Sequence, residues 1–363
     1  MLTSAANRQA VTVNVTGRSG TATFTAAPGE TLLEAALRQG ADVPYSCGSG
    51  SCGLCKARVI SGRVETLWPE APAYGKKHRA DDALLCQCAA EAPGNHGTLE
   101  LTLGGASGAI SPPGTRPGRF DARVLRIDPI GDDLIEVELG LDRPIRYAAG
   151  QFGLFYFPGI VGGRAFSFAA PSPDTGSDRV LLVVKRKLGG PATEFLFARN
   201  APGSRLEMFG PLGHAIFDPG CGRDLICVAG GSGLSFGLSV MGGATLAGHF
   251  STHRGILVVG LRRPSDLASL ARLGAMAETA GPGLRIIIAL SDEGTVPPEG
   301  WTVPGVEVMQ GFAHDVMHTA MAGHHANLMA YVAGPPPMIQ AVQRVLLLEA
   351  KLPAGNILCD TFY

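Results

Sequence analysis

The run CGSGSCGLC, Cys47 to Cys55, places three thiols within nine residues whose other members are glycine, serine and one leucine, and a fourth thiol, Cys86, follows thirty residues later. A loop this poor in apolar side chains buries almost nothing by itself, so its shape must be set by whatever the sulfurs hold. Disulfides do not fit. Five of the eight cysteines lie between Cys47 and Cys88 and the rest are scattered at Cys221, Cys227 and Cys359, whereas a disulfide framework belongs to a small, densely stapled domain.

Four thiolates can hold zinc or iron. Structural zinc sites usually draw on two paired knuckles, but here three ligands share one loop, as Cys47-x4-Cys52-x2-Cys55, and one stands alone downstream. That spacing is the plant-type pattern of a two-iron cluster. Gly48, Gly50 and Gly53 allow the backbone to wrap tightly and bring its amides toward the sulfurs, where they stabilise charge added on reduction. For the fourth ligand the residues leave two choices. Cys86 and Cys88 are two positions apart, and on one strand they would point the same way.

The remaining sequence is long enough, at 363 residues with 45% apolar and 17% charged, for two or three domains. Lysine and arginine total 30 against 31 acidic residues, so no net field recruits nucleic acid or an anionic membrane. The start, MLTSAANRQA, has no basic segment leading into an apolar run, which makes the cytoplasm the expected compartment. Leu225 to His253 contains no Asp, Glu, Lys or Arg and is long enough to span a bilayer. Its seven glycines predict instead a strand, a tight loop and a packed helix, and no membrane partner.

Alternation at Val11–Gly17 and Thr21–Ala26 predicts a hairpin. Thr31 and Glu34 form a capping box for a helix that Gly40 ends, and ARVISGRVE and TLELTL read as further strands. Gly104 to Gly118 is nearly all glycine, proline, serine and alanine, the composition of a linker. Short strand-like runs then follow to about residue 220, as in an antiparallel barrel. From Arg223 strands alternate with helical stretches, the signature of a doubly wound parallel sheet. The predicted domains are 1–104, 119–220 and 221–363, with a linker at 105–118.

The segment PGETLLEAALRQGADVPYSCGSGSCGLC, with LLCQC later, resembles plant-type ferredoxins. The resemblance implies a β-grasp-type domain with a [2Fe-2S] cluster on Cys47, Cys52, Cys55 and Cys86, since a cysteine followed by glutamine is the family's fourth ligand. Residues 1–104 carry nine basic and nine acidic residues, where photosynthetic ferredoxins are strongly acidic, so the docking partner should differ. RAFSF, Arg164–Phe168, and the glycine turn GGPATEF, Gly189–Phe195, together resemble the flavin motifs of the ferredoxin–NADP reductase superfamily. Carried over, Arg164 would hold the flavin phosphate, Phe166 would pack on the isoalloxazine, Ser167 would hydrogen-bond near the reactive ring nitrogen, and Gly190 and Thr193 would serve the pyrophosphate. Phenylalanine at 166 replaces the usual tyrosine and loses a hydroxyl.

DLICVAGGSGLS resembles the nicotinamide-binding GGTG segment of that superfamily, which implies Gly230, Gly231, Ser232 and Gly233 at the dinucleotide phosphate. YVAGPPPM resembles its Cys-Gly-Pro-Pro segment, implying Gly334 and Pro335 beside the nicotinamide, with Ala333 where the cysteine usually stands. Asp360 and Phe362 match the acidic and aromatic residues at the family's C-terminus, making Ser167 and Asp360 the catalytic candidates. Arg262 and Arg263 follow a strand where the adenosine ribose would lie; NADH is the expected donor, with NADPH the alternative. Adjacent histidines in GHH read as a solvated helix end, and Met317, Met321 and Met329 as packing. The order of the whole chain resembles reductase components of bacterial multicomponent oxygenases. It implies an oxidoreductase that takes electrons from NAD(P)H through FAD and the cluster to an oxygenase component or a separate ferredoxin. A reductase of deoxysugar biosynthesis and a non-catalytic carrier or regulatory protein are the other readings.

Overall fold

Valines alternate with polar residues near the start of the chain, and the strand they form, β1 (Val11–Gly17), turns Val11, Val13 and Val15 inward. The structure, a computed structural model, describes residues 9–18, 20–75, 79, 81–91, 97–104, 116–198, 201–263, 271–292, 303–322 and 327–361. As expected, β1 pairs antiparallel with β2 (Gly20–Ala26). With β3 (Lys56–Ser61), β5 (Asp82–Leu84) and β7 (Leu99–Leu103) they make a five-stranded sheet in the order β2-β1-β7-β3-β5, beside a ladder of β4 (Val64–Thr66) and β6 (Cys88–Ala90). Helix α1 (Leu32–Arg38) covers the sheet, and its N-cap, Thr31, accepts from Glu34 N at 3.2 Å. The other half of the capping box does not form. The Glu34 carboxylate leaves its own helix for Arg119 of the next sheet, at 2.7 Å.

Of the linker read from the sequence, residues 105–115 lie outside the described residues, and Gly118 is already the first residue of β8 (Gly118–Pro129). β9 (Leu134–Ile145), β10 (Phe152–Tyr156), β11 (Arg164–Ser167), β12 (Ser177–Lys185) and β13 (Arg205–Leu212) complete an antiparallel sheet ordered β11-β10-β13-β8-β9-β12. The sheet rolls so that its two ends meet, with Ala169 N, just past β11, donating to Leu181 O of β12 at 2.7 Å. Helix α2 (Pro191–Phe197) begins at the proline that the glycine turn announces.

The last sheet is parallel throughout. It runs β17 (Val306–Gln310), β16 (Leu284–Leu290), β15 (Gly255–Leu261), β14 (Asp224–Gly230), β18 (Leu328–Ala333), β19 (Ile357–Asp360). Helices α3 (Leu234–Leu246) and α4 (Ala271–Ala280) cover one face, α5 (Ala313–Ala320) and α6 (Pro336–Arg344) the other. Helix α3 explains the stretch without charge: it is wedged between this sheet and the barrel in one apolar core. Its serines satisfy barrel backbone, Ser235 Oγ accepting from Val183 N at 2.7 Å and Ser239 Oγ from Gly150 N at 3.0 Å. Among the described residues no helix is long and apolar enough to cross a membrane. Met317 and Met321 are buried in the core under α5, and Met329 is partly buried.

Candidate functional site

The four thiols meet as two pairs. Cys47 Sγ lies 3.3 Å from Cys52 Sγ, and Cys55 Sγ lies 3.3 Å from Cys86 Sγ, all as free thiols. Two sulfurs bound tetrahedrally to one metal at about 2.3 Å stand somewhat under about 4 Å apart, so each pair is sized for one ion. Among the described residues no three His, Cys, Asp or Glu side chains converge on a single ion position. The donor set thus offers two close two-sulfur pairs, an arrangement that fits a two-iron cluster with one pair on each iron.

The loop glycines do what the wrap requires: Gly48, Gly50 and Gly53 have φ of +62°, +77° and +80°, a region that other residues enter at a cost. Ser49 N and Cys52 N then donate to Cys47 Sγ, and Leu54 N to Cys52 Sγ, each at 3.4 Å. The Cys52 thiol and the amides of Cys52, Ser49 and Ser51 hold Cys47 down to about 5, while the same contact and burial push the Cys52 thiol up, so of this pair it is Cys47 that is poised as the thiolate. Gln87 Nε2 donates to Cys86 Sγ at 3.5 Å.

Cys86 and Cys88 do not share a strand. Cys86 lies in the turn between β5 and β6, whereas Cys88 opens β6 and is buried 3.1 Å from Tyr74 Oη. The two cysteines therefore do not point the same way as they would on one strand, and the turn rotates Cys86 toward Cys55.

The cluster loop rests on the barrel. A Cβ added at Gly48 would stand 3.1 Å from Leu154 Cδ1 of β10, and Phe152, Leu154, Phe209 and Leu212 of the barrel share one core with the first sheet. Tyr45, two residues before the loop, accepts from Gly213 N at 3.1 Å and packs 4.5 Å from the His214 ring. On the far side of β10 its partner is β11, with Phe152 opposite Ser167 and Gly153 opposite Phe166. Neighbouring strands are about 4.8 Å apart, so β10, on which the thiol loop rests, lies directly beside β11, which carries Arg164–Ser167.

At the end of β11, Ser167 Oγ donates to Asp360 Oδ2 at 2.5 Å, joining residues 193 positions apart. Burial pushes the Asp360 carboxyl up to about 7, and the serine bond works against that rise. Phe166 packs edge-on against Phe155 and Phe157. Arg164 Nη1 donates to the carbonyls of Val161, Gly162 and Gly163 at 3.1, 3.0 and 3.3 Å, and its guanidinium lies 4.5 Å from the centre of the Trp68 ring. All three bonds use Nη1, so Nε and Nη2 are the atoms with which it can meet a phosphate. Thr193 Oγ1 accepts from Lys187 N at 3.1 Å and sits 3.0 Å from the Lys187 and Gly190 carbonyls. Its hydroxyl is thus engaged in shaping the turn.

In the parallel sheet, β14 ends at Gly230 and the turn Gly231–Gly233 leads directly into α3. Gly233 admits no side chain, because a Cβ there would come within 2.3 Å of Ala333 O. Gly334 packs against Gly230 in turn, and Pro335 caps α6. The two glycine segments therefore form one cradle at the carboxyl ends of β14 and β18, the switch point of the sheet. Arg262 and Arg263 both face Asp292 at 3.5 Å, an acidic residue that the sequence reading missed because it follows a different strand. Phe362 and the paired histidines lie outside the described residues.

A family model for the 2Fe-2S iron-sulfur cluster binding domain matches residues 13–91, and one for the oxidoreductase NAD-binding domain matches residues 227–344. The chain is 33% identical over 344 residues to the ferredoxin–NAD(+) reductase component of the alkene monooxygenase system of Xanthobacter autotrophicus, covering 93% of this chain and 97% of that protein. It is 30% identical to the reductase component of phenol 2-monooxygenase from a Pseudomonas species, with 92% and 90% covered. Among solved structures, the ferredoxin reductase in carbazole 1,9a-dioxygenase matches with a TM-score of 0.79 at 28% identity, over 99% of this chain and all of that one.

Proposed function

The chain belongs to the ferredoxin–NAD(P)+ reductase components of bacterial oxygenase systems, and from that premise we propose how its own residues divide the work. It is an oxidoreductase that takes electrons from NAD(P)H through FAD and a [2Fe-2S] cluster to an oxygenase component or a separate ferredoxin. FAD accepts a hydride as one two-electron unit and releases electrons singly.

Cys47 and Cys52 hold one iron, and Cys55 and Cys86 the other. The pairing of the thiols supports this reading and carries it. Arg164 would meet the flavin phosphate through Nε and Nη2, Gly190 and the turn closed by Thr193 would lie at the pyrophosphate, Phe166 would pack on the ring, and Ser167 with Asp360 would handle the proton at the reactive nitrogen. Phe362 keeps the flavin role that the family's C-terminal aromatic implies. Gly230, Gly231, Ser232 and Gly233 receive the dinucleotide phosphates, with Gly334 and Pro335 beside the nicotinamide. The chain divides at 104, 118 and 220, with Gly118 given to the barrel. All eight cysteines are free, which suits the reducing cytoplasm, the compartment we assign.

NADH is the donor. Asp292 between Arg262 and Arg263 offsets the positive charge that a 2′-phosphate would need and repels it directly. Steady-state kinetics on the purified protein should show kcat/KM higher with NADH than with NADPH. Replacing both arginines with alanine should leave the NADH value within about fivefold, the scale of an exposed charge contact. A preference for NADPH, or collapse of NADH turnover in the double variant, rejects this assignment.

Arg164→Ala should weaken flavin retention on the order of tenfold or more, since it removes a charge-assisted contact to phosphate. Equilibrium dialysis of the released flavin measures this, and unchanged affinity removes Arg164 from the site.

A further inference from the structure

We propose that Glu34 is a positioning residue for electron transfer, seating the ferredoxin part of the chain on the flavin barrel so that the cluster loop stays pressed against β10. The proposal rests on the cysteine assignment above. Glu34 is completely buried, which is rare for a carboxylate unless it is paired. It does not serve its own helix: Oε2 accepts from Arg119 Nη2 at 2.7 Å and Oε1 from Tyr156 Oη at 2.8 Å. Those partners stand 85 and 122 positions away in sequence, on β8 and at the end of β10.

The geometry couples this junction to the cluster. Tyr156 and Leu154 are two residues apart on β10, so they face the same side, and Leu154 is the residue on which Gly48 of the cluster loop rests. One strand thus meets the first sheet at two points, a polar one at Glu34 and an apolar one at the loop. Arg119 is held in turn by Glu207 of β13 at 2.9 Å and stacks 5.4 Å from the Tyr156 ring centre. A cleft of about 550 Å³ lined by Cys86, Arg119, Tyr156 and Glu207 runs along the same seam. Burial and the Glu34 charge raise the Tyr156 hydroxyl well above its usual range, which keeps it a donor.

A buried ion pair is weak evidence for stability, because desolvation offsets the attraction, but it does fix one arrangement against others. Here the arrangement is the separation between flavin and cluster. Each step moves one electron from reduced flavin to a ferric iron, which becomes ferrous; the hydride from NADH supplies two electrons for two such steps. The rate of that step falls steeply with separation, whereas hydride transfer to the flavin does not involve the first sheet.

The test uses the full-length protein with Glu34→Gln and, because either variant alone can fail to fold, Arg119→Met and Tyr156→Phe. Ferricyanide reduction, taken from the flavin, should be unchanged. Single-turnover reduction of the cluster should slow on the order of tenfold, as for small misplacement of reacting groups. Amide hydrogen exchange in β10 and in Ser49–Leu54 should accelerate even in flavin-free protein. Glu34→Gln combined with Arg119→Met should be no slower than the worse single variant. Equal slowing of ferricyanide and cluster reduction, or β10 exchange at the wild-type rate, overturns the proposal. Absence of a cluster spectrum in wild-type protein would instead overturn the cysteine assignment, which the exchange measurement does not use.

Discussion

Cys86→Ser is expected to abolish the visible spectrum of the iron–sulfur cluster and lower NADH-driven cytochrome c reduction by at least about 100-fold, since loss even of a group supporting a metal ligand costs about 10–100-fold. Flavin should remain bound and ferricyanide should still be reduced, because the proposed flavin contacts Arg164, Phe166 and Ser167 stand on β11, outside the Leu85–Gln87 turn that holds Cys86. Cys88→Ser is the control. Its sulfur sits 3.1 Å from Tyr74 Oη and takes no part in either thiol pair, so the serine should keep the cluster and cost at most about 1–2 kcal/mol of stability, the scale of one altered buried hydrogen bond. Loss of the cluster in Cys88→Ser with retention in Cys86→Ser would transfer the fourth ligand and with it the pairing of irons to sulfurs.

The residues legible in the sequence are those whose reason for being there is local. Cysteine spacing, Thr31 ahead of Leu32 and Leu33, and a buried strand running into Gly230–Gly233 all express constraints acting within a few residues, and each lies where it was expected. Glu34 shows where such reading stops. Its position three residues after Thr31 is the local signature of a capping box, yet the carboxylate is drawn away by Arg119 and Tyr156, partners on a different sheet. Trp68 against Arg164 and Asp292 between two arginines were missed for the same reason: nothing in their own windows marks them. Cys86 failed differently. LLCQC looks like a strand by composition, but Leu85–Gln87 form a turn, and turns of three residues leave no period to detect. β17 and β19 are short and mostly half-exposed, with a single buried residue, Asp360, between them, so neither carries an apolar run that its sequence window could announce.

Ser167→Ala is expected to slow cluster reduction by NADH on the order of 10²-fold, the lower range for losing a positioned proton-transfer group, and to change its pH dependence in a way that mere loss of packing would not. The Asp360 carboxyl titrates at about 7 because it is buried, with the Ser167 bond holding it lower than burial alone would. On the proposed reading its carboxylate form would accept the proton that Ser167 relays from the flavin, so the rate in wild-type protein should rise with pH through about 7. In Ser167→Ala the rising limb should move to higher pH, and in Asp360→Asn it should vanish. The same shift fixes a stability effect of known sign. The folded value lies above the unfolded one of about 3.9, so the folded state binds the proton more tightly, and stability falls as pH rises from about 4 to about 7 and stays reduced above it. Asp360→Asn removes that loss while keeping an acceptor for Ser167. It should therefore be more stable than wild type at pH 8 by about 2–4 kcal/mol, and no more stable at pH 4, from about three units at 1.36 kcal/mol each as an upper bound. Denaturant titrations of the full-length protein at the two pH values measure this. Equal stability of wild type and Asp360→Asn at pH 8, with a rate profile that has no limb near pH 7, would mean that the carboxyl is ionised at ordinary cost and carries no proton for the flavin.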